Sequence, residues 1–218
     1  EHSAEYQAQA LIDIGFALHA RQLDQDQIDE VVIQTSHHTH YVIGTGSNDP
    51  QKMDPDASRE TLDHSAMYIL AVAWLDGTWH HVHSYTPETA HRPDTVALWH
   101  KIRTEEMPEW TESYHNPEPD HKKFGAEVVV HLKDGTQISE RLDNPNAHYL
   151  GKKPFARPDY INKLKVLTED LADPAELDRY IGLVKRLQEL SPAEVGELNL
   201  VIPENRLQDA QSDRVGII

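Results

Sequence analysis

Cysteine is absent from the 218 residues. That excludes disulfides, a thiolate nucleophile, Cys-ligated zinc and iron–sulfur clusters. Positive charge is scarce: 20 Lys and Arg face 37 Asp and Glu, a net −17 with His neutral. Such a balance opposes nucleic-acid binding, which needs a basic face. No apolar run approaches the ~20 residues of a membrane span, and Glu1 opens no basic-then-apolar leader. The expectation is therefore a cytoplasmic protein with neither membrane nor nucleic-acid partners. The chain also begins without Met. What is present, 38% hydrophobic and 26% charged residues, suits a globular protein of one large domain or one domain with a smaller lobe.

Histidine is the excess. Fifteen occur, including His37, His38 and His40, then His80, His81 and His83. Metal binding, proton transfer and a pH-sensitive surface are the three roles such density suggests. Alternation in His37–His40 and His80–His83 would put two imidazoles on one side of a strand, but no third ligand is fixed by spacing. Solvated polar loops explain both clusters as well, and no metal is expected.

The fold class reads as α+β, with a mixed or antiparallel sheet and packed helices. Helical spacing of Ala8, Leu11, Ile14 and Leu18 predicts a helix over 4–21. Val31, Val32 and Ile33 predict a strand over 28–35. Residues 37–55, rich in Gly, Asn-Asp-Pro and Asp-Pro, read as a long loop. A second helix is expected from Asp56 or Ser58 to about Leu75, apolar around its whole axis and so buried on most sides. A third helix is expected over 93–100 and a strand over 101–106. Lys133-Asp134-Gly135-Thr136 between 128–132 and 137–142 is a hairpin signal. Beyond residue 155 the pattern becomes two amphipathic helices. A lobe over 1–155 and a helical tail over 156–218 are expected, the tail needing something to bury against.

On the second predicted helix His64 and Tyr68 are four residues apart and would share a face. Arg59, five before His64, lies roughly 140° around the axis. Imidazole, phenol and guanidinium suit proton handling beside a carboxylate. A core tyrosine and a satisfied polar histidine explain the same spacing.

The stretch GTGSNDPQKMDPDASRETLDHSAMYILAVAWLDGTWHHVHSYTPETAHRPDTVALWHKI, residues 44–102, resembles the MmgE/PrpD family, and most the members that dehydrate 2-methylcitrate. EHSAEYQAQALIDIGFAL at the start is similar to the family's PAE-containing segment, with Ser3 where proline is usual. KKFGAEVVVHLKDG (122–135) and GKKPFARPDYINKL (151–164) continue the likeness.

The resemblance implies a C-terminal piece of a protein about twice as long. Residues 1–155 would be an α+β lid, and 156–218 helices returning to a helical domain outside this chain. It implies cofactor-free dehydration of 2-methylcitrate to 2-methylaconitate in propionate breakdown, a small tricarboxylate as substrate, and a homodimer through the full-length protein. The isolated piece would be inactive. The family's His-Ser-x-x-Tyr falls on His64, Ser65 and Tyr68, with Tyr68 directing its hydroxyl at the substrate and His64 positioning it or acting as acid or base. Arg92 matches a family arginine, a surface ion pair being its ordinary alternative; Glu5 and Gln9 start the first helix close to where the substrate would lie, and Arg59, by its place on the predicted helix, can clamp a substrate carboxylate. Another carboxylate lyase, decarboxylase or epimerase of the family is the enzymatic alternative; a His-rich metal-binding module is the non-enzymatic one.

Overall fold

The computed structural model describes residues 1–207. The chain divides into two compact units, Glu1–Phe155 and the part beginning at Ala156.

The first unit is α+β, built on a four-stranded mixed sheet in the order β2-β1-β3-β4. Strand β1 (Ile28–Thr35) is central, with Val31, Val32 and Ile33 all buried, as a β-branched run demands. It pairs in parallel with β2 (Ile102–Glu106), Val31 facing Ile102, and antiparallel with β3 (Ala126–Leu132), Ile33 facing Val128. Strands β3 and β4 (Gln137–Leu142) form the expected hairpin. Its turn needs glycine: Gly135 has φ +88°, and Asp134 Oδ1 accepts the Thr136 N–H at 2.8 Å.

Helix α1 (Gln9–Ala20), preceded by a 3₁₀ turn over Tyr6–Ala8, packs on the central helix of the unit. The segment between β1 and β2 holds α2 (His37–Val42), α3 (Arg59–Asp63), α4 (Ala66–Asp76), α5 (Pro87–His91) and α6 (Pro93–Trp99); α7 (Pro108–Tyr114) follows β2. Every residue of α4 from Ala66 to Trp74 is buried, matching its all-round apolar sequence. Contact with α1 is close enough that a Cβ on Gly15 would stand 2.8 Å from Ala73 Cβ.

Two expectations are corrected, and the His80–His83 segment takes a definite form. The long loop over 37–55 contains a helix, because Ser36 caps it by accepting the Thr39 N–H and Thr39 turns inward. The helix over 56–75 is two helices, α3 and α4, broken at His64–Ser65. His80–His83 is no strand. His80 Nδ1 accepts the Val82 and His83 N–H groups, and Ser84 Oγ accepts that of His80, closing a turn before a 3₁₀ segment.

In the second unit, α8 (Arg157–Leu167) fully buries no residue, while α9 (Pro174–Lys185) buries Leu177, Ile181 and Leu183. Between them lies an apolar groove of about 530 Å³ lined by Tyr160, Ile161, Leu164, Tyr180, Ile181 and Val184. Among the described residues no helix is long and apolar enough to cross a membrane.

Candidate acid–base site

The break between α3 and α4 builds the site. Ser58 starts α3 by accepting the Thr61 N–H at 3.3 Å, and Ser65 starts α4 by accepting the Tyr68 N–H at 3.2 Å. Asp63 and His64 lie at the bend. His64 and Tyr68 consequently do not share a face. The His64 side chain is half exposed, whereas Tyr68 is wholly buried and its hydroxyl donates to the Ser84 carbonyl at 2.6 Å. Burial pushes the Tyr68 phenol far above its ordinary range. Tyr68 thus supports the turn that carries Ser84 and Tyr85. Tyr68→Phe is expected to destabilise the unit by about 1–3 kcal/mol, since a buried carbonyl loses its donor. Urea unfolding checks this, an unchanged midpoint counting against it.

Around the bend the structure gathers residues from three segments. Tyr85 donates to Asp63 Oδ1 at 2.6 Å and approaches the Ser3 carbonyl at 3.2 Å. Trp79 Nε1 donates to that same carbonyl at 3.2 Å, fixing the N-terminal segment beside the bend. Burial, reinforced by the Asp63 hydrogen bond, drives the Tyr85 phenol strongly upward. The Arg59 guanidinium lies 4.7 Å over the Tyr85 ring and donates to the His81 carbonyl at 3.1 Å. Gln9 holds the N-terminal segment through the His2 and Ala4 carbonyls, at 2.9 and 3.0 Å.

Glu5 completes the group. Its carboxylate accepts the Gln7 N–H at 2.6 Å, and Gln7, with its amide nitrogen toward Glu5, accepts from His38 Nε2 at 2.9 Å. Burial raises the Glu5 carboxyl above its ordinary 4.5, with Asp63 adding to this and the Gln7 N–H and His64 opposing it. A raised carboxyl favours the fold below pH 4.5, and that contribution is lost as pH rises through the raised value. Glu5→Gln, neutral throughout, is therefore expected to melt above wild type at pH 7 and level with it at pH 4. Equal melting at both values would remove Glu5 from a desolvated position.

His64 Nδ1 lies 3.0 Å from the Glu60 carbonyl, which can only accept, so the proton sits on Nδ1. In the neutral ring Nε2 then holds the lone pair of a base. Asp63 Oδ2 lies 3.6 Å from Nδ1.

Arg59 and His64 are thus linked around the bend through Tyr85 and Asp63, which sequence reasoning missed, and Glu5 lies within electrostatic reach of Asp63 and His64. Asp63 directly precedes His64, and Tyr85 follows the second His cluster; neither spacing marks a site. Arg92 is held elsewhere, at 2.7 Å from both Asp76 and Asp94. His37 pairs with Glu106 at 2.8 Å and His40 with Thr104 at 2.7 Å. Among the described residues one trio, Glu1, His2 and Asp13, has potential metal-ligand atoms within 4.8 Å of one another. There Asp13 is already engaged by His2 Nε2 at 3.1 Å and the Asn146 N–H at 2.8 Å.

Residues 2–189 match the profile of the MmgE/PrpD C-terminal domain. The chain is 28% identical over 141 residues to the mouse (Mus musculus) cis-aconitate decarboxylase, covering 65% of this chain and 27% of that protein. It is 32% identical over 78 residues to a probable 2-methylcitrate dehydratase of Saccharomyces cerevisiae, covering 36% of this chain and 14% of that protein. The aligned parts span about a quarter or less of these relatives' length.

Proposed function

The chain belongs to the MmgE/PrpD family through its C-terminal domain, and from that premise we propose that it supplies acid–base groups to a lyase site for a tricarboxylate. The reaction we assign is dehydration of 2-methylcitrate to 2-methylaconitate. One observation carries the reading: His64 stands at the bend with Nδ1 on the Glu60 carbonyl, Arg59 lies over Tyr85, which bonds Asp63 of that bend, and the buried, raised Glu5 carboxyl is within electrostatic reach of His64 and Asp63.

In this reading His64 Nε2 takes the proton from the carbon beside a carboxylate, and the electron pair of that C–H bond becomes the new double bond. The neighbouring C–O bond breaks and Glu5 protonates the departing hydroxide, which leaves as water. Asp63 stabilises the resulting imidazolium, and Arg59 holds a substrate carboxylate. Tyr85 keeps Asp63 in place. A single cation does not balance three carboxylates, and the net −17 repels them at long range. The remaining positive charge is assigned to polypeptide outside these 218 residues. The same reading makes the working protein a cytoplasmic, cofactor-free homodimer.

Decarboxylation of cis-aconitate is the second reading, favoured by the longer alignment to the mouse relative. There the bond from carbon to one carboxylate breaks, its electron pair stays with the carbon skeleton as carbon dioxide leaves, and a protonated group of the site delivers a proton to carbon. The test is an assay of the longest polypeptide containing these residues, beside the 218 residues alone. Product absorbance from 2-methylcitrate without gas release supports dehydration. Carbon dioxide from cis-aconitate supports the second reading, and inactivity on both sinks the two together.

A further inference from the structure

Gln7 is a buried amide in direct contact with Glu5, and the chemistry above gives it no part. It lies in the 3₁₀ turn Tyr6–Ala8, which Glu5 caps by accepting the Gln7 backbone N–H at 2.6 Å. The Gln7 side chain meets the same carboxylate. With its nitrogen toward Glu5 it donates to both Oε1 and Oε2, and its oxygen accepts from His38 Nε2 at 2.9 Å. Reversed, the amide oxygen would face two carboxylate oxygens, acceptors all three.

His38 keeps the amide in the favourable sense. The Gln7 oxygen can only accept, so His38 Nε2 carries the ring proton. His38 is exposed, yet its ring is firmly placed. It stands in the first turn of α2, begun by Ser36 on the Thr39 N–H at 3.2 Å. The His37 N–H donates to Thr111 Oγ1 at 2.8 Å and ties α2 to α7. Tyr114 of α7 then meets the His38 ring, with 5.4 Å between centroids. A protonated Glu5 could instead donate its O–H to a reversed amide, whose nitrogen would then turn to His38. That arrangement needs a bare Nε2 on His38, and the Nε2–H opposes it.

We propose that Gln7 and His38 are positioning residues for Glu5: the His38 Nε2–H fixes the Gln7 amide with its nitrogen toward the carboxylate, and the amide holds both carboxylate oxygens. Donors on the ionised form oppose burial, which raises the Glu5 carboxyl, so the pair sets how readily Glu5 gives up its proton. Its use in turnover rests on the reading of Glu5 as the proton donor, in which neither Gln7 nor His38 touches a reacting atom. Glu5 is also acted on by Asp63 and His64 of the bend, and it faces the Tyr6 and Tyr114 phenols. Burial pushes both phenols up, which leaves them neutral where a carboxyl titrates.

Carboxyl-carbon NMR of Glu5 across pH, in the 218-residue chain, tests the arrangement. Gln7→Met keeps the length without the donors and is expected to raise the Glu5 midpoint by about one pH unit. His38→Phe is expected to raise it by about half a unit, and His38→Gln, an amide donor without charge, to restore at least half of that. In Gln7→Met the further change His38→Phe is expected to add less than about 0.1 unit, because His38 acts through Gln7. An equal His38→Phe shift with and without Gln7 would reveal a direct influence of the imidazole on Glu5 and overturn the proposal. So would an unmoved midpoint in His38→Phe. Should Gln7→Met not fold, the variants at exposed His38 decide alone: rescue by the neutral glutamine supports the hydrogen-bonded hold, and its failure overturns it. A Glu5→Gln protein that turns over as fast as wild type strikes the proposed reaction, while the titration still decides the roles of Gln7 and His38.

Discussion

His64→Gln is expected to lower kcat/KM for the tricarboxylate by about two to four powers of ten, the usual loss when a positioned acid or base is removed. The glutamine amide can still reach the Glu60 carbonyl that His64 Nδ1 engages, but it cannot take up a proton at neutral pH. The side chain is half exposed and lies outside the core, so unfolding free energy is expected to stay within about 0.5 kcal/mol of wild type. Steady-state kinetics with thermal melting on the same sample checks both halves. A variant within about threefold of wild type in kcat/KM would remove His64 from the chemistry. One that lost activity and stability together would make the imidazole a structural group.

The largest effect on stability is expected at Gly15, in the middle of α1. A Cβ there would lie 2.8 Å from Ala73 Cβ, 3.0 Å from the Trp74 nitrogen and 3.1 Å from the Ala73 carbonyl carbon. Two of those three atoms are backbone of a helix buried on every side, which cannot give way as the end of a flexible side chain can. Gly15→Leu is expected to cost about 3 kcal/mol or more and to lower Tm by about 6–12 °C. Gly182 in α9 is the control. Nothing lies within 4 Å of a Cβ built there, so Gly182→Ala is expected to gain about 0.5–1 kcal/mol through helix propensity. A melting temperature for Gly15→Leu within about 2 °C of wild type would contradict the close approach of α1 and α4.

Elements governed by their own residues are legible in the sequence. The β-branched Val31-Val32-Ile33 run forms the centre of the sheet, and Asp134-Gly135 closes the hairpin. Proline at the start of α6, with an acidic residue in its first turn, marks that helix correctly. The candidate site is legible only in part. Residue type and resemblance point to Glu5, Arg59, His64, Tyr68 and Arg92; of these Arg59 lies over Tyr85 beside the bend that carries His64, whereas Tyr68 is bonded in the core and Arg92 to Asp76 and Asp94. Asp63 and Tyr85 carry no signal, because their pairing joins residues 22 apart in sequence at 2.6 Å. Ser3, whose carbonyl takes both Tyr85 and Trp79, lies 82 and 76 residues from them. Contacts of that kind depend on chain crossings that no local periodicity encodes.

The amino-acid sequence by itself determined the α+β class, the α4 segment that had to be buried all round, and the exclusion of thiol chemistry and disulfides. Period, turn chemistry and composition are local or additive properties, so they survive in a linear reading. Tertiary structure alone decided that residues 56–75 make two helices and that His64 faces solvent while Tyr68 enters the core. Helical spacing favoured one continuous helix. It was overruled by partners from elsewhere in the chain: Lys52 on the His64 carbonyl and on Ser65, and Ile43 on Ala66. Satisfying backbone groups at a break from outside the helix makes the break affordable, and His64, the candidate base, stands at it.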